Sequence, residues 1–290
     1  MKTKIALAVL GLAAFTALPA HAQDGDHSWS KTYPVIGKPA LTLETSDAGV
    51  QIHSCGECRE IRIHVELEGQ KLSDYRLEEN QSGNQVHFLL KEKDHMGVHI
   101  TWHKTQTRVT VETPTELTLE ARTSDGSVDL TGLQGEIGLT TGDGSVTLDH
   151  VSGKLRVKSG DGHVNITNAA GALDARTSDG NLTVDGAFHA LTLHTSDGRL
   201  DLNLREGTKF TEASTIQASD GSVTLRVPQS FAANLDVHTS DGHVDCTLPI
   251  TMDHYQSGDG NGHELHGRLN GGGTPLSIHT SDGSVKIEQI

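Results

Sequence analysis

The chain is poor in most of what marks a catalytic or cofactor-binding domain. Aromatic residues make up 3% of its 290 positions, and there are only seven Pro and three Cys. Three Cys are too few for the dense disulfide framework of small secreted domains. Basic residues are outnumbered 23 to 38, for a formal net charge of −15. A surface this acidic repels a phosphate backbone, which excludes nucleic acid as a partner. No apolar run reaches 18 residues, so no transmembrane segment is expected in the mature chain. There is no Gly-x-Ser-x-Gly elbow, no His-Glu-x-x-His helix and no phosphate-cradling Gly loop. What the chain has in excess is Gly, 32 residues, against a usual ~7%. High Gly with little Pro and no helical period points to tight turns between short strands.

The first 22 residues read as a secretory signal peptide. Lys2 and Lys4 precede an apolar run from Ile5 to Leu18, and Ala20-His21-Ala22 gives a small-x-small cleavage site. Export to the periplasm, the cell envelope or the exterior follows. Removing 1–22 takes away two Lys and no acid, which moves the charge from −15 to −17.

The mature chain is organised by a repeat. Asp-Gly returns at Asp125, Asp143, Asp161, Asp179 and Asp197, a spacing of 18 four times running. Asp47, Asp220, Asp241 and Asp282 head further copies. Counting from the Asp, positions +3 and +5 are apolar in all nine copies, from Val50/Ile52 to Val285/Ile287. Positions −6 and −4 are apolar too, with Ser214 the one exception. Two alternating pairs per repeat mean two short strands, each with one face inward. Such a pair cannot bury its apolar face alone, but stacked copies bury a continuous core. The fold class expected is all-β: a parallel β-solenoid of about eight coils of 18–23 residues, roughly 40 Å long at ~4.8 Å per coil. An antiparallel meander is the alternative, though it does not require the fixed period.

Around this rod the chain divides into a signal peptide (1–22), an N-terminal β region (23–116) and the repeat domain (117–290). Residues 23–40 read as a polar lead pinned by Trp29 and Tyr33. Between the first and second copies, Ile61–Leu67, Gln85–Leu90, Val98–Trp102 and Arg108–Glu112 alternate, as an antiparallel insertion or cap would. Pro114 and Pro228 mark turns. Pro249–Gly262 reads as a protruding loop containing Asp259-Gly260, a copy that lacks the apolar pair. Leu265–Leu269 then starts the last coil.

Several residues are candidates for chemistry. Gly in the TSDG turn is expected to take a positive φ, with Asp capping nearby N–H groups. Stacking also lines up the carboxylates of Asp125, Asp143, Asp161, Asp179 and Asp197, so a Ca²⁺-binding edge is the second reading of that column. No other cofactor and no catalytic residue is expected. Cys55 and Cys58 sit in a strand-to-strand turn as a disulfide candidate, with free thiols and a metal or redox role as alternatives. Cys246 occupies a +5 core slot and reads as a buried small hydrophobe. His95, His99 and His103 share one strand face. His194, His238 and His279 share position −3, and His163 and His243 share +2, in coils that are not consecutive.

Three features together resemble a known family: the run L-x-L-x-T-S-D-G-x-L/V-x-L, the Leu225–Pro228 turn, and the closing GRLNGGGTPLSIHTSDGSVKI. They are similar to the bacterial putative-adhesin, β-strand-repeat family of unknown function. The resemblance covers roughly 35–290 and implies an exported or envelope-associated β-solenoid. It brings no functional residues with it, and the Cys-x-x-Cys turn is not part of its pattern. The expected function is non-enzymatic: an adhesin-like binding or structural protein whose ligand is an envelope protein, a glycan or another surface. A glycan-active β-helix enzyme and a self-assembling envelope scaffold are the alternatives.

Overall fold

A computed structural model describes residues 23–93, 106–257 and 263–290. The signal peptide, the segment holding His95, His99, His103 and Val98–Trp102, and Asp259-Gly260 lie outside the described residues. The described chain is all-β, with one short 3-10 turn at Leu72–Asp74. No described helix is long and apolar enough to cross a membrane.

Each repeat contributes one rung made of two strands. The strand before the Asp-Gly turn belongs to a leading ladder, and the strand after it to a trailing ladder. In the trailing ladder Val128 pairs in parallel with Val50 on one side and Val146 on the other, and Val146 with Val164. In the leading ladder Ile137 lies between Leu119 and Leu155. Equivalent apolar residues therefore stack directly on one another. Leu200–Leu204 shows the resulting pattern, with Leu200, Leu202 and Leu204 buried and Asp201 and Asn203 half-exposed. A single hydrophobic cluster runs from Trp29 to Ile287.

The rungs do not stack in chain order at either end. Ala40–Thr45 lies between Gln85–Glu92 and Glu116–Arg122, and Gly49–Ser54 lies between Gln106–Thr113 and Val128–Thr131. The expected antiparallel insertion thus also supplies a parallel outer layer. Its antiparallel pairs, Tyr75–Ser82 on Gln85–Glu92 and Glu60–Glu68 on both Ser28–Pro34 and Gln106–Thr113, close that end. The lead expected at 23–40 is instead largely strand, because Trp29 and Tyr33 are buried side chains of Ser28–Pro34.

At the opposite end the chain doubles back. Pro275–Thr280 pairs with Ser214–Ala218 and with Ala233–Thr239. Val285–Gln289 lies between Val223–Val227 and Val244–Cys246. The Asp282 rung, last in sequence, is therefore interior, and the Asp241 rung is outermost. Leu265–Leu269 does not start a coil: His263–Leu269 runs antiparallel to Ala233–Thr239. The loop expected at Pro249–Gly262 is, over Ile250–Ser257, a strand antiparallel to His263–Leu269. The pairing has a register shift between Met252 and His254; the sequence reads as loop because the copy at Asp259-Gly260 lacks the apolar pair.

The Asp-Gly turn is built differently from expectation. None of its glycines has a positive φ. They are needed because neighbouring backbones touch: a Cβ on Gly162 would lie 2.0 Å from the Gly144 carbonyl oxygen, and one on Gly144 would lie 2.0 Å from that of Gly126. The capping belongs to Thr, not Asp. Thr195 Oγ1 accepts from the Gly198 N–H at 3.1 Å and donates to the Ser178 carbonyl of the adjacent rung at 3.1 Å. Thr123, Thr239 and Thr280 do the same, all buried. Ser214, the one polar ladder residue, is buried because its Oγ accepts from the Leu191 N–H at 3.1 Å.

Candidate functional site

The expected Asp edge is present as a row of exposed side chains at Asp125, Asp143, Asp161, Asp179 and Asp197. Their backbones are used structurally: the N–H of Asp143 donates to the Ser124 carbonyl and that of Asp197 to the Ser178 carbonyl. Among the described residues no three His, Cys, Asp or Glu side chains are grouped so as to hold a metal ion.

One carboxylate away from the turn is strongly perturbed. Asp149 accepts from Asn168 Nδ2 at 2.7 Å, His150 Nδ1 at 2.8 Å and Thr167 Oγ1 at 3.0 Å. Bonds from Asn168 first and His150 next hold its carboxyl down to about 2. His150 and Asn168 both sit at φ 53, stacked at one corner. Arg205 continues the network to Asn168 Oδ1 at 2.7 Å and to Asp185. All partners belong to consecutive rungs, so this network ties rungs together.

Cys55 and Cys58 are joined as a disulfide in the turn between Gly49–Ser54 and Glu60–Glu68, with Cα atoms 5.8 Å apart. Cys246 is free and only half-buried, because its strand, Val244–Cys246, is the outermost of the trailing ladder. Burial, the larger effect, still pushes its thiol up, as does the nearby Asp245.

A group of ionisable side chains lies at the end where the chain doubles back. Intercalation of the last rung makes two supposedly separated histidines neighbours: His238 and His279 are paired across strands, ring centroids 5.9 Å apart. His238 Nδ1 is 3.3 Å from Glu264 Oε1, and His266 Nδ1 is 3.1 Å from Asp236 Oδ1. Arg268 Nη2 pairs with Asp253 Oδ1 at 3.0 Å. Of these, Asp236, Asp253, His266 and Arg268 line an open groove of about 330 Å³ together with Asn234, Gly267, Pro275 and Ser277; His238, His279 and Glu264 lie outside it. His163 and His243, by contrast, are used within the stack: His163 Nδ1 accepts from the Asn181 N–H, and His243 Nδ1 bonds Ser284 Oγ at 3.0 Å. His194 is half-buried on the same leading ladder, and the Ser214–Ala218 and Pro275–Thr280 strands separate its rung from that of His238.

Sequence reading missed Asp236, Glu264, His266 and Arg268. The signal was in His263–Leu269, where Leu265, Gly267 and Leu269 alternate as inward residues and leave Glu264, His266 and Arg268 outward. At the same end the trailing ladder stops at Val244–Cys246, while the leading ladder continues for two more strands. Val244, Cys246 and Ile250 are therefore only partly covered, and Met252 is 58% exposed.

No curated protein matches the chain. Among solved structures, a "putative lipid binding protein" from Parabacteroides distasonis is similar at 14% identity with a TM-score of 0.52, covering 90% of this chain and 96% of that one. At that identity the likeness is one of fold. A "putative adhesin" from Bacteroides fragilis is 9% identical over 91% of this chain and 97% of its own, with a TM-score of 0.39. A family model, Toastrack DUF4097, matches residues 39–288, and the chain belongs to this Toastrack family of unknown function.

Proposed function

We propose that the protein is an exported, non-enzymatic β-solenoid of about eight coils that binds a polar partner at the cell envelope, and that its C-terminal end carries the binding face. Parallel pairing of equivalent residues from Val50 to Val146 supports the coil reading. The observation that carries the function is how the polar and apolar surfaces are divided. The interior is filled, with nearly every ladder residue 0–2% exposed, so a ligand must be met on the outside. The N-terminal end is closed by Trp29, Tyr33 and Tyr75. The other end leaves Val244, Cys246, Ile250 and Met252 incompletely covered on the inner face of its last strands, and sets a polar groove with Asp236, His266, Asp253 and Arg268 on their outer face. A strand end that leaves apolar residues uncovered on one face and a polar groove on the other offers surface for a partner. Periplasm, cell envelope or exterior is the compartment that the leader at 1–22 addresses.

The test is capture of envelope fractions, glycans and lipid vesicles by the immobilised mature chain. Lipid is included because a protein of similar fold carries that name. The triple variant D236A/H266A/R268A is expected to lose at least tenfold in affinity with an unchanged melting temperature. Undiminished binding by the variant would move the face elsewhere, and turnover of a polysaccharide would overturn the non-enzymatic reading. The reading also needs no cofactor, so EDTA is expected to leave the melting temperature unchanged. A rise of several degrees with added Ca²⁺ would instead assign a cation to the Asp edge.

A further inference from the structure

The Cys55–Cys58 pair lies far along the chain from the groove and plays no part in the proposed binding. It is also a poor staple. In the chain-entropy account a disulfide stabilises in proportion to the logarithm of the loop it closes, and this one closes a separation of three. The turn is already fixed without it. Cys55 N–H donates to the Thr113 carbonyl at 2.9 Å, and Thr115 N–H donates to the Gly56 carbonyl at 3.1 Å. Gly56 N–H donates to Ser54 Oγ at 3.0 Å, and Ser54 Oγ bonds Thr115 Oγ1 at 2.6 Å. Gly56 takes the positive φ of 76 that the turn requires, with nothing crowding it. Cys55, Gly56 and Glu57 are exposed, and Cys58 is half-buried with its Sγ 3.3 Å from the Glu60 carbonyl oxygen. Exposed disulfides are the labile ones, open to attack by an incoming thiolate.

We propose that Cys55–Cys58 is a reversible thiol–disulfide exchange site that works with a small dithiol or a dithiol protein while the surrounding fold stays intact. The incoming thiolate attacks the accessible Cys55 Sγ. The S–S electron pair leaves on Cys58 Sγ, which takes a proton, and the new thiol donates to the Glu60 carbonyl. The partner's second thiolate then attacks the mixed disulfide and Cys55 leaves as a thiol. In total the protein gains two electrons and two protons, and the partner leaves as its disulfide.

The experiment equilibrates residues 23–290 in dithiothreitol redox buffers of graded potential, quenches, and counts maleimide tags by peptide mass. Tags on Cys55 and Cys58 are expected to rise together in one two-electron step without denaturant. Across that step the melting temperature moves by no more than a few degrees. Tagging of Cys246 should not follow the same step, and C246S should leave the step in place. In a separate incubation with oxidised glutathione, C58S is expected to hold a single glutathione on Cys55, with one reduced glutathione released. Two results overturn the proposal: no tagging until the chain is unfolded, or reduction that melts the stack, which would make the bond a structural staple.

Discussion

A methyl group on Gly162 would meet the Gly144 carbonyl at 2.0 Å, and neither backbone can retreat without breaking pairs on its far side. G162A is therefore expected to lose at least about 2 kcal/mol of stability by chemical denaturation. Gly83 has a φ of 59 and empty space around it, so G83A should cost only about 1 kcal/mol, the left-handed penalty alone. Thr195 gives a complementary test. T195V keeps the shape but strands the buried Gly198 N–H, at about 1–3 kcal/mol. Asp149 supplies the pH dependence. Its folded-state carboxyl lies at about 2, below an ordinary value of 3.8. Its contribution is therefore complete above the ordinary value and is lost as pH falls through about 2. The gap in melting temperature between wild type and D149N should narrow across that window; a gap that stays constant would remove the carboxylate from the account.

Strands and their order respond to different information. The apolar pairs located most of the ladder strands because burial on one face demands alternation. They could not order the rungs, since every rung offers its neighbour nearly the same pair and any two would stack. The position of the Asp282 rung is instead specified by polar contacts outside the core. Arg226 Nε bonds Glu288 at 2.9 Å, Arg226 also reaches Asp201, and Lys286 pairs with Glu288 at 2.6 Å. R226A is expected to cost about 0.5–1 kcal/mol and to speed amide exchange across Val285–Gln289 more than across Val146–Asp149. Equal acceleration in both would show that the cluster does not hold the inserted strand. The candidate site was hidden for the same reason. His238 and His279 are 41 residues apart in sequence and meet only because the last rung is inserted beside the Asp241 rung. The role of Gly162 was equally out of view, because close approach is a property of the neighbouring rung and not of the turn itself.

At the scale of the whole molecule, a repeat array usually loses stability one unit at a time when shortened from its end. This one should not. Ending the chain after Thr274 deletes the Asp282 rung and takes away the surface on which Ala233–Thr239 and Val244–Cys246 pair. Two rungs and the His238–Glu264 face should be lost together, visible as full amide exchange over 233–248 with protection kept at 128–149. Retained protection at 233–248 would mean that the outer rung can dock directly on Ser214–Ala218.

The doubled-back end also makes the stack a test of its own completeness. Residues Pro275 to Gln289, later in sequence than the strands on both their sides, fill an interior layer, as a keystone closes an arch after its flanks are raised. A chain cut before Pro275 by premature termination or by proteolysis cannot present the groove at Asp236 and His266 in part. It presents the whole face or none of it.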